Sequence, residues 1–372
     1  MYSLENLNAR VDHLLSEGPY PEITPDLEKT SFELFRDHIS HAANLNSGYA
    51  NYVSHWPIPL GEAGRTADLP WLPVSVFKRD PPFSLIPPGQ VLRTLLSSAT
   101  TGQNPSRISL DRQTALRMNR GVVSILRNYI GSDRRPYLVV DIASTNGNAA
   151  NLGARAAAIR ALAPFATSTT YALRGDDLDI DQDAVDSFRE VNADFPVIIY
   201  GFTSILWANL IRPLLATGQS LGLRKAIVLH SGGWKRLEAE AVSKQEFNSS
   251  LANVVGCGAD QIIDYYGMVE NLGIIYPDCS AGNKHAPVFG SVIVRDPMTL
   301  QRVPVGSTGL VQVGSILPTS FPGHLLLTDD LATVVAEGGC SCGRPGIAFR
   351  FSGRVPKAEV RGCGNLDRRR VL

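Results

Sequence analysis

Three groups of residues have types and spacings that could do chemistry. The first is the run Ser97-Ser98-Ala99-Thr100-Thr101-Gly102-Gln103-Asn104-Pro105-Ser106, which directly follows an apolar stretch at 91–96. Small hydroxyl residues with a glycine can form a turn whose backbone N–H groups face outward. Such a turn cradles phosphate, with the hydroxyls of Ser97, Ser98, Thr100 and Thr101 supplying further hydrogen bonds. No Gly-Lys-Ser/Thr follows, so this is not the Walker pattern. The second group is Cys279 and His285 with Cys340 and Cys342. Three thiols and an imidazole suit a closed tetrahedral zinc site of structural role. The two pairs are distant in sequence, so a metal would staple two parts of one region. The third is Cys363, flanked by Gly362 and Gly364. Lys357 and Arg361 nearby favour its thiolate, and the glycines let a short tail bend. Cys257 has no such company and reads as a small buried residue.

Residues of this kind need elements to hold them. Strand-like runs at 137–142, 196–200 and 226–230 alternate with helical stretches at 151–162, 205–217 and 237–255. That alternation predicts an α/β fold with mainly parallel sheets flanked by helices. Beyond residue 286 the helices give out, and runs at 288–295, 309–313 and 324–328 between Gly/Pro turns predict a β-rich subdomain. The first ninety residues read as helices, one at 31–43, broken by proline-rich connections. The expected division is a helical region at 1–90, an α/β nucleotide-binding core at 91–285, the β-rich subdomain at 286–352 and a short tail at 353–372.

The chain has 372 residues, 44% of them hydrophobic and 19% charged, the composition of an ordinary globular protein. Lys+Arg and Asp+Glu both number 35. With no basic tract or acidic tail, nothing favours a nucleic-acid or membrane-surface partner, and a small-molecule substrate is expected. The first residues include acidic ones and no long apolar run, which argues against a secretory signal or membrane span. An odd number of cysteines, five, argues against a disulfide framework. The expected location is the cytoplasm.

Several segments together carry a family resemblance. The 97–102 loop resembles the Ser-Ser-Gly-Thr-Thr-Gly loop of adenylate-forming enzymes, with Ala99 in place of a glycine. His230-Ser231-Gly232-Gly233-Trp234-Lys235 stands where that superfamily sets backbone against adenine. Asp264-Tyr265-Tyr266-Gly267-Met268-Val269-Glu270 resembles its Tyr-Gly-x-Thr-Glu motif, with Val269 replacing threonine. Thr328-Asp329-Asp330 matches Thr-x-Asp, and Gly353-Arg354 matches the Gly-Arg before the family's hinge. The resemblance implies that Tyr266 lies against the adenine, Glu270 helps hold Mg²⁺, Asp330 binds ribose hydroxyls and Arg354 reaches the nucleotide. Gly232, Gly233 and Gly267 then shape the backbone around it.

Only 18 residues follow Arg354, where typical members continue into a lysine-bearing lid domain. That end resembles the LuxE-type acyl-protein synthetases, relatives of phenylacetate-CoA ligases. The resemblance runs nearly end to end and includes Leu72-Pro73 to Phe77-Lys78, Gly232 to Lys235, and Lys357 to Cys363. It implies the large N-terminal domain of an adenylate-forming enzyme without the lid. It also implies activation of a carboxylic acid, by analogy fatty, as acyl-AMP with ATP and Mg²⁺. Cys363 would then accept the acyl group and pass it to a partner protein, a reductase or carrier. A thiolate suits that step, since it attacks an acyl phosphate anhydride readily and leaves the carbonyl activated. Lys235, Arg354 and Lys357 are candidates for the cation that offsets charge at the α-phosphate. Phenylacetate-CoA ligases carry a similar Cys…His and Cys-x-Cys-Gly-Arg, here ending Gly343-Arg344. Two alternatives stay open: delivery of the acyl-AMP to coenzyme A, a carrier protein or an amine, and a non-catalytic nucleotide-binding scaffold. An acyl or aryl pocket is expected around Trp207, Trp234, Tyr265 and Met268.

Overall fold

The computed structural model describes residues 4–97, 104–146 and 151–355. The N-terminal helices are α1 (Leu4–Ser16), α2 (Pro25–Leu45) and α3 (Ser47–Ser54). In α1, Leu7, Val11, Leu14 and Leu15 recur at helical spacing and are buried, giving one apolar stripe. The second helix begins six residues before the sequence suggests, because Thr24 caps it by accepting from the Leu27 N–H and Pro25 opens it. Its Leu34, Phe35 and Ile39 pack in the same core as Phe289, Val311 and Val313. A two-residue strand, β1 (Leu72–Pro73), follows.

The α/β part runs β2 (Arg93–Leu96), β3 (Arg107–Leu110), α4 (Arg112–Ile130), β4 (Arg135–Val140), β5 (Asn151–Gly153), α5 (Ala154–Leu162) and β6 (Ala166–Tyr171). It continues through the small hairpin β7 (Leu173–Arg174) and β8 (Asp179–Ile180), then α6 (Gln182–Asn192) and β9 (Val197–Phe202). After β9 come α7 (Thr203–Leu206), a π-helical turn (Trp207–Ile211), α8 (Arg212–Thr217), β10 (Ala226–Ser231), α9 (Lys244–Val255), β11 (Ile262–Tyr266) and β12 (Tyr276–Pro277). The main sheet has the order β12-β11-β10-β9-β4-β6 and is parallel except at the β12 edge. Every residue of β9 is buried, as expected of a central strand covered on both faces.

The single helix expected at 237–255 is two pieces, a 3-10 segment (Lys235–Glu240) and then α9. Ser243 ends the continuity by accepting from the Glu246 N–H, the start of a capping box that forces extended backbone at the cap.

The remaining strands are β13 (Lys284–His285), β14 (Gly290–Arg295), β15 (Thr308–Ser315), β16 (Leu325–Glu337) and β17 (Ile347–Arg354). They form a second sheet in the order β13-β17-β16-β15-β14, with β1 pairing in parallel to the start of β16. Residues of α1 and α2 share one core with this sheet, and His38 of α2 stacks near His324 with ring centroids 4.6 Å apart. Among the described residues, no helix is long and apolar enough to cross a membrane.

Candidate active site and metal centre

The two sheets meet where β11 ends. Tyr266, its last residue, donates its hydroxyl to Asp330 Oδ2 at 2.7 Å. Arg354, the last residue of β17, donates from Nε to Asp330 Oδ1 at 2.9 Å. Asp330 is buried, and its backbone N–H is held by the Thr328 hydroxyl at 3.1 Å. The Tyr266 ring stacks near Phe351 at 4.8 Å and Tyr276 at 5.8 Å. Burial and the Asp330 carboxylate together push the Tyr266 phenol well up. Burial opposes the charge of Arg354, but Asp330 outweighs it and raises the guanidinium further. Three of the residues expected at the nucleotide thus form one network.

The stem of the phosphate-type loop is the antiparallel pair β2–β3. Ser97 N–H donates to the Ser106 carbonyl at 3.1 Å, and Ser106 N–H donates to Ser97 Oγ at 2.8 Å. The stem is therefore closed directly below residue 98. Ser98, Thr100, Thr101 and Gly102 lie outside the described residues, as do Lys357 and Cys363; the side chain of Lys235 is likewise not described. Glu270 is buried. Burial pushes its carboxyl up, opposed by the Ser106 hydroxyl, its own backbone N–H and the charges of Lys78 and Arg354. Glu270 thus feels the charge of Arg354, which belongs to the network with Asp330 and Tyr266. A buried carboxylate whose ionisation is opposed by burial is a fitting oxygen ligand for a hard divalent cation. Val269 packs in the core.

Beside this site, Ser231-Gly232-Gly233 leaves the end of β10, with both glycines exposed. Gly232 has φ +81, and a Cβ there would stand 2.8 Å from the Phe202 ring, so only glycine fits. A Cβ on Gly267 would meet the Ile275 side chain at 3.3 Å. The four suggested pocket residues do not form one wall. Trp207 and Trp234 pack with Phe247 in the core on one face of the parallel sheet. Tyr265 stacks near Tyr200 on the other face, and Met268 lies by the Tyr266 hydroxyl.

The thiol and imidazole set converges. Ligand atoms of Cys279, His285, Cys340 and Cys342 all lie within 4.8 Å of one another. Cys279 Sγ is 3.9 Å from Cys340 Sγ, and Cys342 Sγ is 3.3 Å from His285 Nε2. With Zn–S near 2.3 Å and Zn–N near 2.0 Å, a tetrahedral site has edges of about 3.4–3.8 Å, so the set fits zinc. Burial and the neighbouring Arg344 lower His285 to about 4, leaving the imidazole neutral and able to ligate. Burial opposes the Cys340 thiolate, but the Cys342 N–H, the Asn283 amide and the neighbouring thiols bring it down to about 7. Cys257, by contrast, is half-buried and pushed up to about 11 by burial.

Sequence reasoning missed a second cluster on the same hairpin. Asp278 and Lys284 each precede a ligand, Cys279 and His285, and therefore point the other way. Lys284, 3% exposed, lies 3.1 Å from Asp278 and 3.3 Å from Asp264, and Lys244 also reaches both aspartates. Burial opposes ionisation of Asp264, but Lys284, His230 and Lys244 outweigh it and hold the carboxyl well below the usual range. The hairpin is thus fastened to β11 on one side and to the Cys-x-Cys turn on the other.

This arrangement of two sheets is that of the large N-terminal domain of adenylate-forming ligases. It superposes on 2-hydroxyisobutyryl-CoA ligase in an open conformation with 2-HIB-AMP and CoA, with TM-score 0.66 and 15% identity. That match covers 88% of this chain and 74% of the other. The acyl-protein synthetase (LuxE) family profile matches residues 10–370, and the chain belongs to that family. It is 26% identical over 301 residues to the long-chain-fatty-acid–luciferin-component ligase of Vibrio harveyi, covering 80% of this chain and 76% of the relative. The Aliivibrio fischeri ligase of the same name is 23% identical over 337 residues, covering 89% and 86%. The protein is, with these relatives, an acid–thiol ligase.

Proposed function

We propose that the protein uses ATP to activate a carboxylic acid, in the leading reading a fatty acid, and loads the acyl group onto its own Cys363 for a partner protein. The observation that carries the reading is the Arg354–Asp330–Tyr266 network, which joins three residues expected at the nucleotide from three separate strands. In adenylation, an oxygen of the acid bonds to the α-phosphorus. The bond from that phosphorus to the bridging oxygen breaks, and pyrophosphate leaves with the electron pair. Asp330 would accept ribose hydroxyls, Arg354 would orient it, and Tyr266 with the Ser231–Gly233 backbone would border the base. Ser97, Ser98, Thr100, Thr101 and Gly102 would hold phosphate oxygens. Mg²⁺, held by Glu270, would supply charge neutralisation, and zinc on the Cys₃His set would be structural.

In the second step the thiolate of Cys363, its proton lost to solvent, attacks the acyl carbon; the bond to AMP breaks and AMP leaves. The described chain ends one residue past Arg354, which is on Asp330 itself. Cys363 stands nine positions after Arg354, an extended reach of about 30 Å, enough to return the thiol to the site. Acid-dependent ATP–pyrophosphate exchange over a panel of fatty and aromatic acids tests the reading. Exchange with at least one acid class, abolished in Glu270→Ala, is expected; no exchange with any acid would remove adenylation.

A further inference from the structure

Four aromatic rings run in a row from the core to the Arg354–Asp330–Tyr266 network. Phe349 of β17 meets Tyr276 of β12 edge to face, with ring centroids 5.2 Å apart. Tyr276 pairs across the strands with Tyr266, and their rings are 25° from parallel at 5.8 Å. Phe351, two residues beyond Phe349 and so on the same face of β17, lies 4.8 Å from the Tyr266 ring, 23° from parallel. Exposure rises along the row. Phe349 and Tyr276 are fully buried, Tyr266 is half-buried, and Phe351 is 38% exposed. A single exposed apolar side chain is ordinary at a surface. Phe351 differs because its ring rests on Tyr266, whose hydroxyl is bound to Asp330. Asp330 also receives Arg354, three residues after Phe351 on the same strand. On the far side, Ser231 pairs with Tyr265, which brings the exposed Gly232–Gly233 backbone level with Tyr266.

We propose that Phe351 supplies the stacking face for the adenine ring, while Tyr266 holds Phe351 and Asp330 in place. The proposal rests on the adenylation reading and deepens it. Tyr266 already has near-parallel rings beside it from β12 and β17 and its hydroxyl on Asp330, so it borders the base by its edge. A purine laid on Phe351 excludes water from a ring surface that folding leaves wet, and this gain does not depend on phosphate charge. Stacking tolerates any base, since every base has a π-face. Choice among bases therefore belongs to the backbone groups around Gly232 and Gly233.

The test is calorimetry on the full chain with AMP, ATP and, as a base-free probe, inorganic pyrophosphate. Phe351→Ala should bind AMP and ATP about 5- to 100-fold more weakly, with pyrophosphate affinity unchanged, and Phe351→Leu should lose affinity in the same pattern. Phe351→Trp should bind AMP as wild type does, and AMP should quench a fluorescence component absent from the wild-type protein with its four tryptophans. A ring of structural role alone would leave that indole unquenched. Melting temperatures near that of wild type separate lost stacking from misfolding; if Phe351→Ala does not fold, Phe351→Leu carries the comparison. Unchanged or tighter AMP binding in Phe351→Ala, the outcome if the ring only fills the place of the base, would overturn the assignment. Equal losses for AMP and pyrophosphate would do the same. A wild-type protein that binds AMP through Phe351 yet exchanges no pyrophosphate with any acid would overturn adenylation and leave Phe351 in place.

Discussion

Replacing Lys284 by methionine should destabilise the protein and loosen the nucleotide site in one step. Its ammonium lies 3.1 Å from Asp278 and 3.3 Å from Asp264. At an effective dielectric near 20, each pair is worth about 5 kcal/mol of Coulomb energy. Desolvating a buried ammonium offsets much of that, and breaking a buried pair costs about 3–5 kcal/mol net. Lys244 also reaches both aspartates, which lowers the expected loss to about 2–3 kcal/mol. For 372 residues, an unfolding entropy of about 0.8 kcal/mol/K converts this to a melting-temperature drop of roughly 3–4 °C. The pH dependence fixes the sign. Asp264 has its folded pKa depressed, so its stabilisation is present above the ordinary value near 3.9 and is lost as pH falls through the folded value. The gap between variant and wild type should therefore be full at pH 7 and shrink below about pH 4. Differential scanning calorimetry across that range is the assay. A drop under 1 °C at pH 7, or an equal gap at pH 3, would refute the reasoning. Because Tyr276 on the same hairpin stacks near Tyr266, the variant should also bind ATP more weakly, read by calorimetric titration.

Other expectations concern the remaining groups. Zinc should bind at one equivalent, and Cys340→Ser should abolish high-affinity binding in a metal titration. Chelation should lower the melting temperature by about 5 °C if free zinc stood near 1,000 times its Kd. Glu270 has a raised folded pKa, so its ionisation opposes folding as pH rises from about 4.3. Glu270→Gln should therefore melt higher than wild type at pH 7.5 without ligand, show no gain at pH 4, and lose pyrophosphate exchange. Asp330→Asn should raise the KM for ATP about 5- to 100-fold by weakening charge-assisted bonds worth about 1–3 kcal/mol; steady-state exchange kinetics read it.

Cys279, His285, Cys340 and Cys342 were legible because few residue types ligate zinc, so identity alone narrows the chemistry. Tyr266, Asp330 and Arg354 were legible through motif order, but their mutual contacts were not, since these arise from strand register across 64 and 24 residues. The Asp264–Lys284 cluster was hidden for the same reason. Alternation from Asp278-Cys279 and Lys284-His285 gives only the face of each side chain, not its partner. The break before α9 did carry a signal, Ser243 three residues before Glu246, which the hydrophobic pattern at 237–255 masked. The length of β16 was underread because Asp329 and Asp330 look like turn formers; Asp330 tolerates a strand because Tyr266 and Arg354 satisfy its carboxylate.

Self-acylation can be weighed directly on the protein. Intact-mass spectrometry after incubation with ATP, Mg²⁺ and an acid that supports pyrophosphate exchange should reveal one hydroxylamine-labile acyl adduct, absent in Cys363→Ser. Robust exchange with an unmodified wild-type mass, or an equal adduct on Cys363→Ser, would contradict the account.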